Sequence, residues 1–138
     1  MSADPHASIL VVDDDDSIRR LIHRTLARRG YEVHEARNGR EALDEMRSGR
    51  NDLVVLDLMM PEVSGWDVLN ARAADDGLRR IPVIVASAHR GPEAASVLSA
   101  GICALLPKPF DLETLCALVA SCLNAGHNAD DGGAGGQA

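Results

Sequence analysis

Short apolar runs alternate along this chain with stretches of helical period. "SILVV" (8–12), "YEVHEA" (31–36), "DLVVLD" (52–57), "IPVIVAS" (81–87) and "CALLP" (103–107) are the strand candidates. Three of them carry near-continuous Val, Ile and Leu, as strands covered on both faces should. Strand and helix patterns follow one another in turn, which predicts β-α units wound on a parallel sheet, an α/β fold.

The helical segments carry their own start and stop signals. Ile18, Leu21, Ile22, Thr25 and Leu26 repeat at helical spacing in a first helix that stops at Gly30. Asn38 and Glu41 form a capping pair ahead of Ala42, Leu43 and Met46, and Gly49 ends this second helix. Ser64 with Asp67 caps a third helix carrying Val68 and Leu69, and "GPEAASVLSAG" gives a short fourth. Asp111 caps a fifth, in which Leu115, Leu118, Val119 and Cys122 make one apolar stripe. These boundaries predict one domain at 7–124 after a disordered N-terminus at 1–6. The Gly-rich stretch 125–138 has little to bury and is expected to be a disordered tail.

Composition narrows the setting. A chain of 138 residues with 46% hydrophobic content can build one well-cored domain but not two. A net charge of -7 argues against nucleic acid or an anionic membrane as partner and is compatible with recruiting cations. Cys103, Cys116 and Cys122 fit no zinc or disulfide framework, so buried, reduced thiols are expected. No apolar stretch is long enough to span a bilayer, "MSADPHAS" lacks the regions of a signal peptide, and a reducing cytoplasm is the expected location.

Charged and hydroxyl residues gather at the carboxyl ends of the strands, where open parallel sheets bind ligands. Asp13 and Asp14 follow the first strand, Asp57 ends the third, Ser87 the fourth, and Lys108 follows the fifth. Asp15, Asp16 and Ser17 are accounted for by capping the first helix and complementing its dipole. Asp57 is different, because an acid at the end of a central strand is partly desolvated. Two carboxylates about 4 Å apart repel by roughly 4 kcal/mol at an effective dielectric near 20, so the cluster calls for a cation. Oxygen donors with open positions suit Mg²⁺, and Lys108 supplies further positive charge. Carboxylates attack phosphoryl groups to form acyl phosphates, a transfer that depends on positioning and charge neutralisation.

"ILVVDDDDSIRRLI", "VVLDLMMPEVSGWDVL", "PVIVASA" and "LLPKPF", in this order and spacing, resemble the receiver domain of two-component response regulators. The likeness covers nearly all of 7–124. It implies a flavodoxin-like doubly wound sheet of strand order 2-1-3-4-5 with helices on both faces. It also implies that Asp57 accepts a phosphoryl group from a phosphohistidine on a sensor histidine kinase or histidine phosphotransfer protein. Asp13, Asp14, Asp57 and the Met59 backbone carbonyl would hold Mg²⁺, Ser87 and Lys108 would contact the phosphoryl group, and the Lys108–Pro109 bond would be cis. Pro61 and Gly65 match the turn after the phosphorylated strand.

Departures from the family pattern matter as much. Where receivers often carry Tyr or Phe, three residues before the lysine, this chain has Leu105. Met59 and His89 stand where the family tunes loss of the phosphoryl group, and neither is a carboxylate or carboxamide, so a long-lived acyl phosphate is expected. With no output motif after residue 124, a stand-alone, chemotaxis-regulator-like receiver is expected. It would signal through the fourth helix, fifth strand and fifth helix by contact with another protein. Arg19, Arg20, Arg24, Arg28 and Arg29 mark a face of the first helix for kinase docking or for solvent. Two alternatives remain: a phosphorylation-independent receiver-like adaptor, and a Mg²⁺-dependent phosphatase with an Asp nucleophile. The second lacks the acid usual two residues after the nucleophile, where Met59 stands.

Overall fold

All five apolar runs become strands of a single sheet. The computed structural model describes residues 7–87 and 101–135, with side chains of the last helix described to residue 125. β1 (Ser8–Val12), β2 (Glu32–Ala36), β3 (Leu53–Asp57), β4 (Val83–Ser87) and β5 (Ala104–Pro107) pair in parallel throughout. Their order is β2-β1-β3-β4-β5, the flavodoxin-like winding. The helices are α1 (Asp16–Arg28), α2 (Gly39–Arg47), α3 (Gly65–Ala73), the one-turn α4 (Asp76–Arg79) and α5 (Leu112–Gly135).

Strand alternation divides the core in two. Leu10, Val12, Val54, Leu56, Val83 and Val85 pack with Ala42, Met46, Val68 and Leu69 of α2 and α3. Ile9, Val11, Leu53, Val55, Ile84 and Ala86 pack on the other face with Ile22, Leu26, Leu115 and Val119 of α1 and α5. Because β1, β3 and β4 are buried on both faces, their sequences are nearly all apolar, and their polar residues stand only at the ends.

The expected caps are formed. The Asp15 carboxylate accepts from the Ile18 amide and Asn38 from the Glu41 amide. Ser64 and Asp67 cap reciprocally, and Asp111 accepts from the Thr114 amide at 2.6 Å. Gly30 and Gly49 adopt φ of 96° and 79°, the left-handed conformation that closes α1 and α2 without steric cost. The short α4 was not foreseen. Asp75 caps it through the Gly77 and Leu78 amides, and its single turn serves to bury Leu78.

One expectation needs correction. Cys103 and Cys122 are joined in a disulfide with Cα atoms 6.1 Å apart, so Cys116 is the free thiol and not one of three. The pair looked unrelated because 19 residues separate it in sequence, and only the packing of α5 against β5 brings it together. The backbone of α5 continues to Gly135, past the boundary expected at 124. The helix expected over "GPEAASVLSAG" lies almost entirely outside the described residues.

Candidate functional site: an acidic pocket at the strand ends

β1 and β3 are neighbours in register, from Ile9 opposite Leu53 to Val12 opposite Leu56. One further step along both strands brings Asp13 beside Asp57. Asp13, Asp14 and Asp57 each offer a carboxylate oxygen, and these oxygens all lie within 4.8 Å of one another. Asp13 is 3% and Asp57 5% exposed, while Asp14 faces solvent. The strand ends at Val12, and the acid that follows this pair, Asp15, turns away to cap α1.

The counter-charge comes from the far end of the chain. Lys108 Nζ donates to Asp13 Oδ2 at 2.8 Å and lies 3.7 Å from Asp57 Oδ2. Its backbone amide donates to the Ser87 carbonyl at 2.9 Å, which fastens the loop after β5 to the end of β4. Ser87 itself is fully buried there. The Lys108–Pro109 peptide is cis, as the resemblance implied. Met59 Nα donates to Asp57 Oδ1 at 3.2 Å, although the Met59 side chain is exposed. Leu105 is partly buried against the α2/α3 core. His89 lies outside the described residues.

Asp57 is strongly perturbed. Burial pushes its carboxyl up to about 6, and the charges of Asp13 and Asp14 push the same way; Lys108 and the Met59 amide only partly offset this. Burial would push the Lys108 ammonium down, but the Asp13 hydrogen bond and the charges of Asp57, Asp13 and Asp14 outweigh it and hold it above its ordinary value. Three carboxylates thus share one ammonium. The remaining negative charge, presented only by oxygen donors, fits a hard dication such as Mg²⁺ better than a metal that seeks imidazole or thiolate.

Gly65 lets the following helix approach. A Cβ there would collide with the Asp57 carbonyl oxygen and lie 2.6 Å from the Leu58 Cα, while the Gly65 amide donates to the Leu58 carbonyl at 3.0 Å. A side chain at this position would move the strand end that carries Asp57.

Arg19 corrects the reading of α1 as a uniform basic face. Arg20, Arg24, Arg28 and Arg29 are exposed, but Arg19 is only 3% exposed. Its Nη1 donates to the Asp13 carbonyl at 3.0 Å, Nε to Glu35 Oε1 at 2.7 Å, and Nη2 pairs with Asp16 at 2.7 Å. Burial would raise Glu35; hydrogen bonds from Arg19 and His23 outweigh it and hold the carboxyl below its ordinary value. The guanidinium pins the β1–α1 turn that presents Asp13 and Asp14. Its spacing to Ile22 and Leu26 was the available signal, since 19, 22 and 26 share the buried face of the helix.

Comparison with known proteins agrees with this arrangement. Residues 9–120 match the family described as "Response regulator receiver domain". The response regulator MprA of Mycolicibacterium vanbaalenii is 43% identical over 129 residues, which are 92% of this chain and 54% of that protein. MprA of Mycobacterium avium is 42% identical over 125 residues, 89% of this chain and 54% of that one. The chain therefore spans about half the length of the curated relatives it matches. Among solved structures, the Vibrio cholerae chemotaxis protein CheY4 superposes with a TM-score of 0.78 at 32% identity, covering 85% of this chain and 98% of that one. The signal receiver domain of a putative Luxo repressor protein from Vibrio parahaemolyticus gives 0.84 at 28% identity, covering 91% and 95%. Sequence likeness along nearly the whole domain, carried on the same sheet, leads to one assignment: this chain belongs to the response regulator receiver domain family.

Proposed function

We propose that Asp57 accepts a phosphoryl group from a phosphohistidine of a sensor histidine kinase or phosphotransfer protein, and that the domain signals by phosphorylation-dependent contact with another protein. The observation that carries this reading is the convergence of Asp13, Asp14 and Asp57 around one lysine, Lys108. The compartment proposed is the cytoplasm, where ATP is available to load a donor histidine. Among the described residues no helix is long and apolar enough to cross a membrane.

Each side chain has a role in the transfer. With its carboxyl pushed up to about 6, Asp57 is mostly ionised near neutral pH, so its oxygen attacks without a general base. A P–O bond forms as the donor's P–N bond breaks, and the electron pair returns to the donor imidazole. Asp13, Asp14, Asp57 and the Met59 backbone carbonyl would hold Mg²⁺, which when bound neutralises charge on the equatorial phosphoryl oxygens. Lys108, 3.7 Å from Asp57 Oδ2, reaches a phosphoryl oxygen by a short movement of its flexible stem. The Ser87 hydroxyl, at the neighbouring strand end, donates to another.

Output passes through β5 and α5, whose arrangement responds to charge at Asp57. The switch works without an aromatic ring in the place of Leu105. Slow hydrolysis resets it, because the family positions that tune this loss hold Met59 and His89, neither of them a carboxylate or carboxamide that would orient an attacking water. The acyl phosphate should therefore persist well beyond seconds in Mg²⁺, and decay within seconds would contradict this part of the reading.

The deciding experiment incubates wild type and Asp57→Ala with a small-molecule phosphodonor, with and without Mg²⁺, and follows intact mass. A metal-dependent gain of one phosphoryl group, absent from the variant, is the expected result. No gain in the wild type would favour an adaptor that works without phosphorylation, and turnover of a simple phosphate ester would favour a phosphatase.

A further inference from the structure

The phosphoryl chemistry makes no use of Cys103 and Cys122, yet their positions are suggestive. Cys103 is exposed at the entry to β5, and its amide donates to the Val83 carbonyl at 2.8 Å. Cys122 is buried on α5, 3% exposed. The bond between them closes a ring through β5, Lys108, Phe110 and the first turns of α5. Cys116 lies within that ring as a free thiol, buried at 5% exposure, and burial pushes it up and keeps it protonated.

We propose that Cys103 and Cys122 form a reversible thiol–disulfide exchange site for small-molecule disulfides such as oxidised glutathione, and that closing it ties β5 to α5. The inference rests on the cytoplasmic signalling reading above. In a reducing compartment a disulfide is usually transient and redox-sensing, not a permanent staple. Exposure sets the order of events. The Cys103 thiolate attacks one sulfur of the small disulfide, which forms a mixed disulfide and releases one small thiol. The Cys122 thiolate then attacks the Cys103 sulfur and releases the second. Two protein thiols lose two electrons and two protons, and the small disulfide takes up both. Reduction runs backwards, with an external thiol attacking at the accessible Cys103 sulfur.

Because Lys108 lies inside the ring, the closed form restrains both the lysine loop and the face through which output is proposed to pass. The open form lacks that covalent tie.

The full chain, equilibrated in glutathione buffers from reduced to oxidised, is acid-quenched, denatured, alkylated and weighed intact. With three cysteines, of which Cys116 is unpaired, three labels are expected when reduced and one when oxidised. Cys122→Ser should trap a glutathione adduct at Cys103, whereas Cys103→Ser, changed at an exposed position, should carry no adduct because Cys122 is buried. Three labels in oxidised buffer, or a lasting glutathione adduct on the wild type, would overturn the proposal. Hydrogen exchange tests the tie itself: amides of Ala104–Leu106 and of the first turn of α5 should slow by about threefold or more on oxidation. Unchanged exchange would overturn the restraint. Phosphoryl uptake in the same samples, followed separately by mass, reports on Asp57 alone and enters neither outcome.

Discussion

Asp57→Asn should make the metal-free protein more stable at neutral pH. The carboxyl of Asp57 is raised from 3.8 to about 6, chiefly by burial. Between those two values the folded state holds a proton that the unfolded state has released, so stability falls as pH rises through this window. Below about pH 4 both states are protonated and the penalty vanishes; above about pH 6 it is complete. A shift of roughly two units corresponds to about 3 kcal/mol at about 1.4 kcal/mol per unit, and a side chain 7% exposed gives little reason to discount it for solvent screening. Asparagine keeps the shape and cannot ionise. Urea unfolding in EDTA, at steps from about pH 4 to pH 7.5, should give a variant-minus-wild-type difference near zero at the acid end, rising to as much as about 3 kcal/mol. Adding Mg²⁺ should stabilise the wild type more than the variant, since a ligand that binds only the folded state shifts the equilibrium toward it. A difference that stays flat with pH, or a variant less stable at pH 7.5, would refute the claim that Asp57 is held against its environment.

Three more outcomes follow from the packing around the pocket. Arg19→Met leaves Glu35 and the Asp13 carbonyl without their buried donor, so it should lose about 3 kcal/mol in urea unfolding and weaken Mg²⁺ binding by calorimetry; a loss below about 0.5 kcal/mol would count against the pin. Gly65→Ala drives a methyl into the Asp57 carbonyl and should destabilise by about 1–3 kcal/mol while slowing phosphoryl uptake, whereas wild-type kinetics would show the close approach to be unimportant. Reducing the Cys103–Cys122 bond opens a loop whose ends are 19 residues apart, so thiol should lower wild-type stability by about 3 kcal/mol yet leave Cys103→Ser unchanged in its urea midpoint.

Much of the site was legible because its signals are local. Val12 followed by Asp13 marks a strand end, Ser64 with Asp67 marks a helix start, and both are read within four residues. "LLPKPF" carried its meaning through resemblance and not through any local rule. What escaped were contacts between distant residues: Arg19 with Glu35, and Cys103 with Cys122. In a flat sequence Arg19 is one of five arginines between 19 and 29, and nothing beside it announces a carboxylate on β2. Only its place on the Ile22 and Leu26 face hinted that it was buried.

By itself, then, the chain determined its five strands, the helices α1, α2, α3 and α5, the parallel winding and the residues delivered to the strand ends, since period, caps and apolar runs act through nearest neighbours. Tertiary structure decided how near Lys108 comes to Asp13 and Asp57, how far Asp57 is pushed from its ordinary ionisation, and which two of three sulfurs meet. Those outcomes depend on distance and dielectric between groups as far apart as Asp13 and Lys108. Both quantities come into being only when the sheet closes over its core.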